Sequence, residues 1–131
     1  MRTLTIEWQR LVSEGETCPR CGSTEEQLEN AVSQLRNMLA PLHIEVVLKK
    51  GELSASEFEK APLSSNQIWI NKRPLEEWVG AQVGQSPCCG PCGSSDCRTV
   101  EVQGQSYEAI PANLIIRSAL LAISQSLGSL K

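Results

Sequence analysis

The sequence predicts one α/β domain over residues 1–131, with a strand–helix–strand unit, hairpins, a C-terminal helix and an inserted Cys-rich loop. Apolar and polar residues alternate over residues 3–9, the pattern of a strand with one buried face. Apolar residues recur at helical spacing over residues 28–42, in a helix that ends or kinks before Pro41. Residues 44–51 alternate again and end at a glycine. Two strands joined by one helix favour parallel pairing with a right-handed crossover.

The second half of the chain predicts hairpins and one more long helix. Ser54 and Glu57 match a capping box for a short helix. QIWI, residues 67–70, predicts a strand that NKRP turns into an antiparallel partner. Residues 98–110 predict another hairpin, which turns at a glycine. After Pro111 comes a helix whose apolar residues nearly encircle it, which favours deep burial over the alternative of an oligomer contact.

Composition excludes several classes of partner. The 12 basic and 15 acidic residues give a net charge of −3 without a basic cluster, so we expect neither nucleic-acid nor membrane partners. No apolar stretch approaches the ~18 residues that span a bilayer. The N-terminus lacks an apolar export segment, so we expect a cytoplasmic protein.

The cysteines form two clusters, and this clustering points to thiol chemistry. The clusters are Cys18 with Cys21, and Cys88, Cys89, Cys92 and Cys97. In a reducing cytoplasm, permanent disulfides are a poor explanation for six cysteines. Close spacing in such a protein favours catalysis, redox sensing or metal binding.

Cys18 and Cys21 stand where the first strand leads into the amphipathic helix. Pro19 suits the first helical position, because it forfeits an amide that has no partner there. This makes Cys18 the N-cap residue, where unpaired amides and the helix dipole stabilise a thiolate. Cys18 is then the nucleophile, and Cys21, one turn later, is the resolving thiol.

Two alternatives to a redox pair stay open. Ser23 and Glu26 form a second capping-box pattern, which would begin the helix at Thr24 and leave CPRC as a free knuckle. CPRC could also supply a pair of metal ligands. A zinc ribbon, however, needs a second CxxC about 12–20 residues away. Cys89 and Cys92 lie far outside that spacing.

The order strand, CPRC, helix and strand, followed by QIWIN, a hairpin and a final apolar helix, resembles the thioredoxin/glutaredoxin superfamily. More closely, the chain resembles a small prokaryotic family of thioredoxin-like proteins of unknown function, through the segments CPRC, IWINKRPLE and CCGPCGSSDC with the later YEAIP. The resemblance covers most of the chain and implies a thioredoxin-like fold. It also implies that Cys18 is the attacking cysteine and Cys21 the resolving one.

One departure from the superfamily pattern concerns the third strand. There a cis-proline precedes this strand and faces the CxxC, whereas LSSNQIWIN places Asn66 at that point and Pro62 four residues earlier. In the superfamily, this proline helps to bind substrate backbone and hinders metal capture by the thiol pair. Its replacement favours metal binding by Cys18 and Cys21.

Residues 83–98, VGQSPCCGPCGSSDCR, predict a loop with no core residues of its own, because Gly, Pro, Ser and Cys dominate it. Four thiolates suit Zn²⁺, Cu⁺ or another thiophilic ion. Adjacent Cys88 and Cys89 tend to point apart, which strains a single site that uses both. A site with Cys89, Cys92 and Cys97 is easier to build, its fourth thiol coming from the remaining loop cysteine or from CPRC. Alternatively, one loop cysteine attacks the CPRC disulfide and carries the oxidation to the loop.

These patterns lead to a primary function hypothesis and two alternatives. The primary one is a thiol–disulfide oxidoreductase that acts on protein or small-molecule disulfides and requires no cofactor. The first alternative is a protein that binds zinc or another thiophilic metal through the 88–97 cysteines, with or without CPRC. The second is an interaction module that keeps the fold and has lost turnover. We expect His43 to be a surface or strand-end residue, and Glu76 and Glu77 to be solvated.

Overall fold

The computed structural model describes residues 2–11, 19–54, 57, 60, 66–87 and 96–128. At residues 11, 19–21, 87, 96–97 and 127–128 it describes the backbone but not the side chain. The strands are β1 Arg2–Leu11, β2 Ile44–Leu53, β3 Gln67–Ile70, β4 Arg73–Pro74, β5 Gln82–Pro87, β6 Asp96–Val102 and β7 Gln105–Tyr107. The helices are α1 Pro19–Leu39, α2 Leu75–Val79 and α3 Ala112–Gly128, with a 3-10 turn at Ala40–Leu42.

A four-stranded sheet with the order β2-β1-β3-β4 forms the centre of the fold. β1 and β2 are parallel from the pair Arg2↔Ile44 to the pair Leu11↔Leu53, which confirms the predicted strand–helix–strand unit. β3 is antiparallel to β1, and β4 is antiparallel to β3. The predicted turn between β3 and β4 is also confirmed, since the two residues that follow Ile70 have φ values of 50° and 66°, as in a type I′ turn.

The core lies between this sheet and the helices α1 and α3, which pack against each other. Leu4, Ile6 and Trp8 of β1 are at most 1% exposed, as the alternating pattern predicts. The helices contribute residues at helical spacing: Leu28, Ala31, Val32, Leu35 and Leu39 from α1, and Leu114, Ile115, Ala119, Ala122 and Ile123 from α3. Deep burial is confirmed for one face of α3, whereas Leu120 and Leu121 are 43% and 42% exposed.

The strands β5, β6 and β7 form a second, antiparallel sheet. The predicted hairpin between β6 and β7 is confirmed, and it turns at Gln103 and Gly104, which have φ values of 52° and 79°. The loop predicted over residues 83–98 needs correction, because residues 83–87 and 96–98 are paired strands. These strands lack alternating apolar residues, and the backbone pairing of β5 with β6 forms them despite a turn-like composition.

A buried ion pair ties the second sheet to α2 and corrects the expectation for Glu76. Glu77 is exposed, but Glu76 is 4% exposed. Glu76 Oε1 accepts hydrogen bonds from Nε and Nη2 of Arg98 in β6, at 2.9 and 2.6 Å. A carboxylate at this depth is stable because a guanidinium is buried beside it.

Two smaller predictions are confirmed. The Ser54 amide donates to Glu57 Oε1 at 2.9 Å and the Glu57 amide donates to Ser54 Oγ at 3.2 Å, which completes the capping box. Hydrogen bonds from the Ser54 backbone and side chain lower the pKa of Glu57. His43 is exposed at the end of the 3-10 turn, directly before β2.

No helix in the described ranges is long and apolar enough to cross a membrane.

Candidate functional site

The helix α1 begins at Pro19, as the position of this proline predicts. The alternative start at Thr24 is therefore wrong, and Cys21 lies in the first turn of α1. Cys18 precedes the helix in sequence and lies outside the described residues, and the structure describes the backbone of Cys21 but not its side chain.

A surface contact joins the N-terminal part of α1 to β2. Lys50 of β2 is the register partner of Trp8 in β1, and its Nζ lies 2.9 Å from both Glu25 Oε2 and Glu29 Oε2 on α1. Glu25 lies one turn after Cys21, so this contact attaches the second turn of the helix to the sheet.

Arg10 places a guanidinium at this end of the sheet. Its guanidinium carbon lies 4.8 Å from the centroid of the Trp8 ring, and Nη1 donates to the Gly51 carbonyl at 3.0 Å. Its Nη2 lies 3.7 Å from Glu52 Oε1, and its buried Nε has no hydrogen-bond partner among the described residues. A cation–π contact and one carbonyl thus hold the Arg10 guanidinium against β1 and β2.

Asn66 stands directly before β3 and is 2% exposed. Its φ of 61° is in the left-handed region, which asparagine tolerates better than most residues. Its Oδ1 accepts a hydrogen bond from Trp8 Nε1 at 3.1 Å, and its Nδ2 donates to the Glu108 carbonyl at 3.3 Å. Asn66 therefore satisfies a buried indole and fixes β1 to the chain that follows β7.

The connection between β7 and α3 makes contacts with several elements at this end of the molecule. The Ile110 amide donates a hydrogen bond to Thr24 Oγ1 at 3.0 Å. Thr24 lies one turn after Cys21 in α1. Glu108 accepts from Asn66 through its carbonyl. Its side chain takes part in a second contact, because Ser86 Oγ of β5 lies 3.5 Å from Glu108 Oε1. One connection therefore touches α1, the start of β3 and the end of β5.

The β5–β6 hairpin carries the second group of cysteines. Cys97 lies in β6 opposite Ser86, and Asp96 lies opposite Pro87, so the two strands are paired up to these residues. Cys88, Cys89 and Cys92 lie outside the described residues, and the side chain of Cys97 is not described. No three His, Cys, Asp or Glu side chains group as metal ligands within the ranges the structure describes.

Sequence reasoning found the cysteines but missed the polar contacts around them. Asn66 drew attention as a departure from a motif, although its buried bond to Trp8 was not foreseen. Thr24 reads as an ordinary position at a helix start, and nothing local marks it as an acceptor for Ile110. The partners in these two hydrogen bonds are separated by 58 and 86 positions in the sequence, and no local pattern reveals such contacts.

Comparison with known proteins places this chain in a family. A family model described as "Domain of unknown function (DUF2703)" matches residues 4–119. The chain is 47% identical over 112 residues to an Archaeoglobus fulgidus protein with the name "Uncharacterized protein", which covers 86% of this chain and 82% of the relative. No solved structure matches the chain. The family match spans most of the chain, and the protein therefore belongs to the DUF2703 family.

Proposed function

We propose that the protein is a thiol–disulfide oxidoreductase in which Cys18 is the nucleophile and Cys21 the resolving thiol. The observation that carries this proposal is the start of α1 at Pro19, directly after Cys18 in sequence. The first amides of a helix have no intrahelical partner, and together with the helix dipole they stabilise a thiolate at the preceding residue. A cysteine one turn later is close enough to close a disulfide with small adjustment.

The topology supports a thioredoxin-like fold for this proposal. The observed order of strand, CPRC helix, parallel strand, hairpin and final helix is the order on which the resemblance to the thioredoxin/glutaredoxin superfamily rests. CPRC follows the central strand β1, as that resemblance requires. Asn66, and not a proline, stands directly before β3, so substrate contacts at that position differ from those of the superfamily.

The reaction is two successive thiol–disulfide exchanges. The Cys18 thiolate attacks one sulfur of the substrate disulfide, and the other sulfur leaves as a thiolate that takes a proton from solvent. The Cys21 thiolate then attacks the Cys18 sulfur, which closes the Cys18–Cys21 disulfide and releases the second substrate thiolate. Two electrons pass from the protein to the substrate, and an external thiol reductant restores the pair.

The test uses anaerobically purified protein. Wild type is expected to reduce insulin and hydroxyethyl disulfide, and Cys18→Ser is expected to abolish turnover. A variant with serine at all four hairpin cysteines is the matched control, and it should keep the first turnover. Free thiols, zinc and copper are counted on the same samples. Turnover that persists in Cys18→Ser, or no turnover in wild type, overturns the proposal.

A second candidate is binding of zinc or another thiophilic metal by the hairpin cysteines. The register favours it, because Pro87 and Asp96 lie opposite each other and both ends of the 88–95 segment are therefore anchored together. Cys88, Cys89 and Cys92 belong to that segment, and Cys97 lies directly beside it in β6. Thiolates anchored in this way suit a tetrahedral Zn²⁺ or a Cu⁺ site. Stoichiometric metal that is lost in the four-serine hairpin variant, without disulfide reduction, would establish this function instead.

A further inference from the structure

We propose that an open groove near the amino end of β1 binds a small organic anion, in which a carboxylate or phosphate group is attached to a flat apolar part. The groove lies between the last turns of α3 and the segment that runs from the β3–β4 turn into α2. Its volume is about 440 Å³, and it is lined by Asn71, Arg73, Trp78, Ala122, Gln125 and Ser126. It is separate from the proposed thiol site, because CPRC follows the opposite end of β1, a strand of 10 residues that spans about 30 Å.

Two of the lining side chains are held in place by hydrogen bonds to the backbone. The Thr5 amide donates to Asn71 Oδ1 at 2.9 Å, and the Asn71 amide donates to the Thr5 carbonyl at 2.8 Å. Trp78 Nε1 donates to the Ile70 carbonyl at 2.9 Å, which fixes the plane of the indole ring. A ligand therefore meets walls that are already ordered, and binding loses little free energy to order them.

The groove also presents hydrogen-bond donors that have no acceptor in the described part of the chain. Because Asn71 Oδ1 accepts from Thr5, the orientation of this side-chain amide is set, and its Nδ2 remains as such a donor. The side-chain amide of Gln125 makes no hydrogen bond with a described residue either. Arg73 Nε lies 3.4 Å from Glu77 Oε1, but both side chains are exposed and such a pair is weak, so a ligand anion can replace the Glu77 carboxylate.

The charge of the groove favours an anion. Arg2 Nη1 donates to Ser126 Oγ at 3.2 Å, which places a guanidinium at the wall formed by α3 and offsets the partial negative charge of the carbonyl groups at the end of this helix. Arg73 is stacked on Trp78, with its guanidinium carbon 4.5 Å from the ring centroid. The described residues that line the groove include no acidic residue, although the whole chain has a net charge of −3. Two guanidinium groups and two amides are suitable donors for a carboxylate or a phosphate.

The apolar part of the ligand follows from the remaining lining residues. The indole ring of Trp78 and the side chain of Ala122 give the groove an apolar wall beside its donors. An anion that carries a flat ring covers this wall, whereas a bare inorganic anion leaves it in water. We therefore expect an aromatic anion to bind more tightly than inorganic phosphate.

The test titrates the isotopically labelled full chain with phenyl phosphate and follows two-dimensional NMR spectra. Saturable shifts are expected at the Trp78 indole and at the side-chain amides of Asn71 and Gln125. Benzoate, titrated in parallel, distinguishes a carboxylate ligand from a phosphate ligand. Inorganic phosphate should bind at least about threefold more weakly than phenyl phosphate, because it makes no ring contact. Benzylamine has the ring with the opposite charge, and saturation of the same signals by benzylamine would overturn the proposal.

Arginine variants test the assigned residues. Arg2→Gln and Arg73→Gln should each weaken the binding of phenyl phosphate at least about fivefold, because each removes a charged donor. Arg117→Gln is the matched control, since it removes the same charge from an exposed position of α3 outside the groove, and it should change the dissociation constant less than about twofold. Equal weakening by all three variants, or the absence of saturable shifts in wild type, contradicts the proposal. Circular dichroism of each variant confirms that the chains compared are folded.

Discussion

The two regions that carry the cysteines are attached to the fold by different forces. The start of α1 belongs to a helix that buries a continuous apolar stripe: Leu28, Ala31, Val32, Leu35 and Leu39. A fully buried leucine of this kind contributes about 1.5–3 kcal/mol. Among the described residues, the β5–β6 hairpin buries a smaller apolar set, Val100 and Val102 of β6. It also makes two directional contacts, the Arg98–Glu76 ion pair and the Ser86–Glu108 contact.

This difference separates stability from orientation. Apolar burial scales with area and has little directional preference, so α1 keeps its place as long as its stripe is covered. Hydrogen bonds and ion pairs require particular distances and angles, so the hairpin is held in one orientation by a few groups. We therefore expect single polar substitutions to release the hairpin, and with it Cys97, while the start of α1 remains folded.

The largest effect is expected from breaking the buried ion pair. Glu76→Ala leaves the Arg98 guanidinium, whose side chain is 7% exposed, without its buried carboxylate. Removal of one partner from a buried pair costs about 3–5 kcal/mol, because the remaining charge stays desolvated. Urea unfolding followed by tryptophan fluorescence measures the loss of stability. Hydrogen exchange should show the greatest loss of protection in β5 and β6.

Glu77→Ala is the matched control for this prediction. It removes the same charge from the neighbouring position of α2, where Glu77 lies 3.4 Å from Arg73 in an exposed pair. Exposed pairs contribute about 0–1 kcal/mol, so the two alanine variants should differ by several kcal/mol. Similar losses for both variants would show that the ion pair does not hold the second sheet.

A smaller effect is expected at Asn66, which hydrogen-bonds to Trp8 of β1 and to the Glu108 carbonyl after β7. Asn66→Gly keeps the positive φ accessible but removes the acceptor for Trp8 Nε1, and a buried donor without a partner costs about 1–3 kcal/mol. Asn66→Ala should cost roughly 1 kcal/mol more, because alanine tolerates the left-handed region poorly. Urea unfolding measures both losses.

Asn71→Gly is the comparison for Asn66→Gly. Asn71 has a φ of 50° and accepts the Thr5 amide at 2.9 Å, but it is exposed and water can replace its side chain. We expect a loss of about 1 kcal/mol or less. If Asn66→Gly is as mild as Asn71→Gly, the buried network does not connect the two regions.

Periodicity explains why most of the central fold could be predicted from the sequence. The alternation in β1, the stripe of α1, and the proline positions at both helices are local patterns, and each led to the correct element. The β3–β4 and β6–β7 hairpins followed from short strand patterns with turn residues between them. The strand β5 could not be predicted in this way, although residues 98–102 of β6 could. Residues 84–87 of β5 are small or polar, and the strand forms because its backbone pairs with β6.

The candidate site divides along the same line. Pro19 after Cys18 is a local pattern, and the start of α1 there was predictable. The burial of Glu76 was not, because its partner Arg98 is 22 residues away and both residue types are usually solvated. An asparagine with a left-handed backbone, such as Asn66, is compatible with many turns. Its role depends on hydrogen bonds to Trp8 and Glu108, which are close to it only in the folded chain. Positions whose roles depend on distant partners therefore escape sequence reasoning even when their residue types are noticed.

The smallest effect is expected at the surface contact between Lys50 of β2 and Glu25 and Glu29 of α1. Hydrogen bonds and charge from Glu25, with a further contribution from Glu29, raise the pKa of Lys50 above its usual value. Because the pKa is raised in the folded state, the contact contributes its full stability to the fold below the unfolded pKa of about 10.4. This contribution is lost as pH rises through the folded pKa. Lys50→Gln should cost about 0–1 kcal/mol at pH 7.

Lys49→Gln is the matched charge control, since Lys49 is an exposed neighbour that makes no ion pair with a described residue. Thermal unfolding of both variants and wild type at pH 7, 9 and 11 should show a Lys50-specific difference that is smaller at pH 11 than at pH 7. The difference should also shrink in about 1 M salt, where the Debye length is about 3 Å. A difference that changes neither with pH nor with salt would mean that the lysine stem, and not its charge, attaches α1 to β2. The N-terminal part of α1 would then be held by apolar packing alone, as the comparison of the two regions predicts for the rest of the helix.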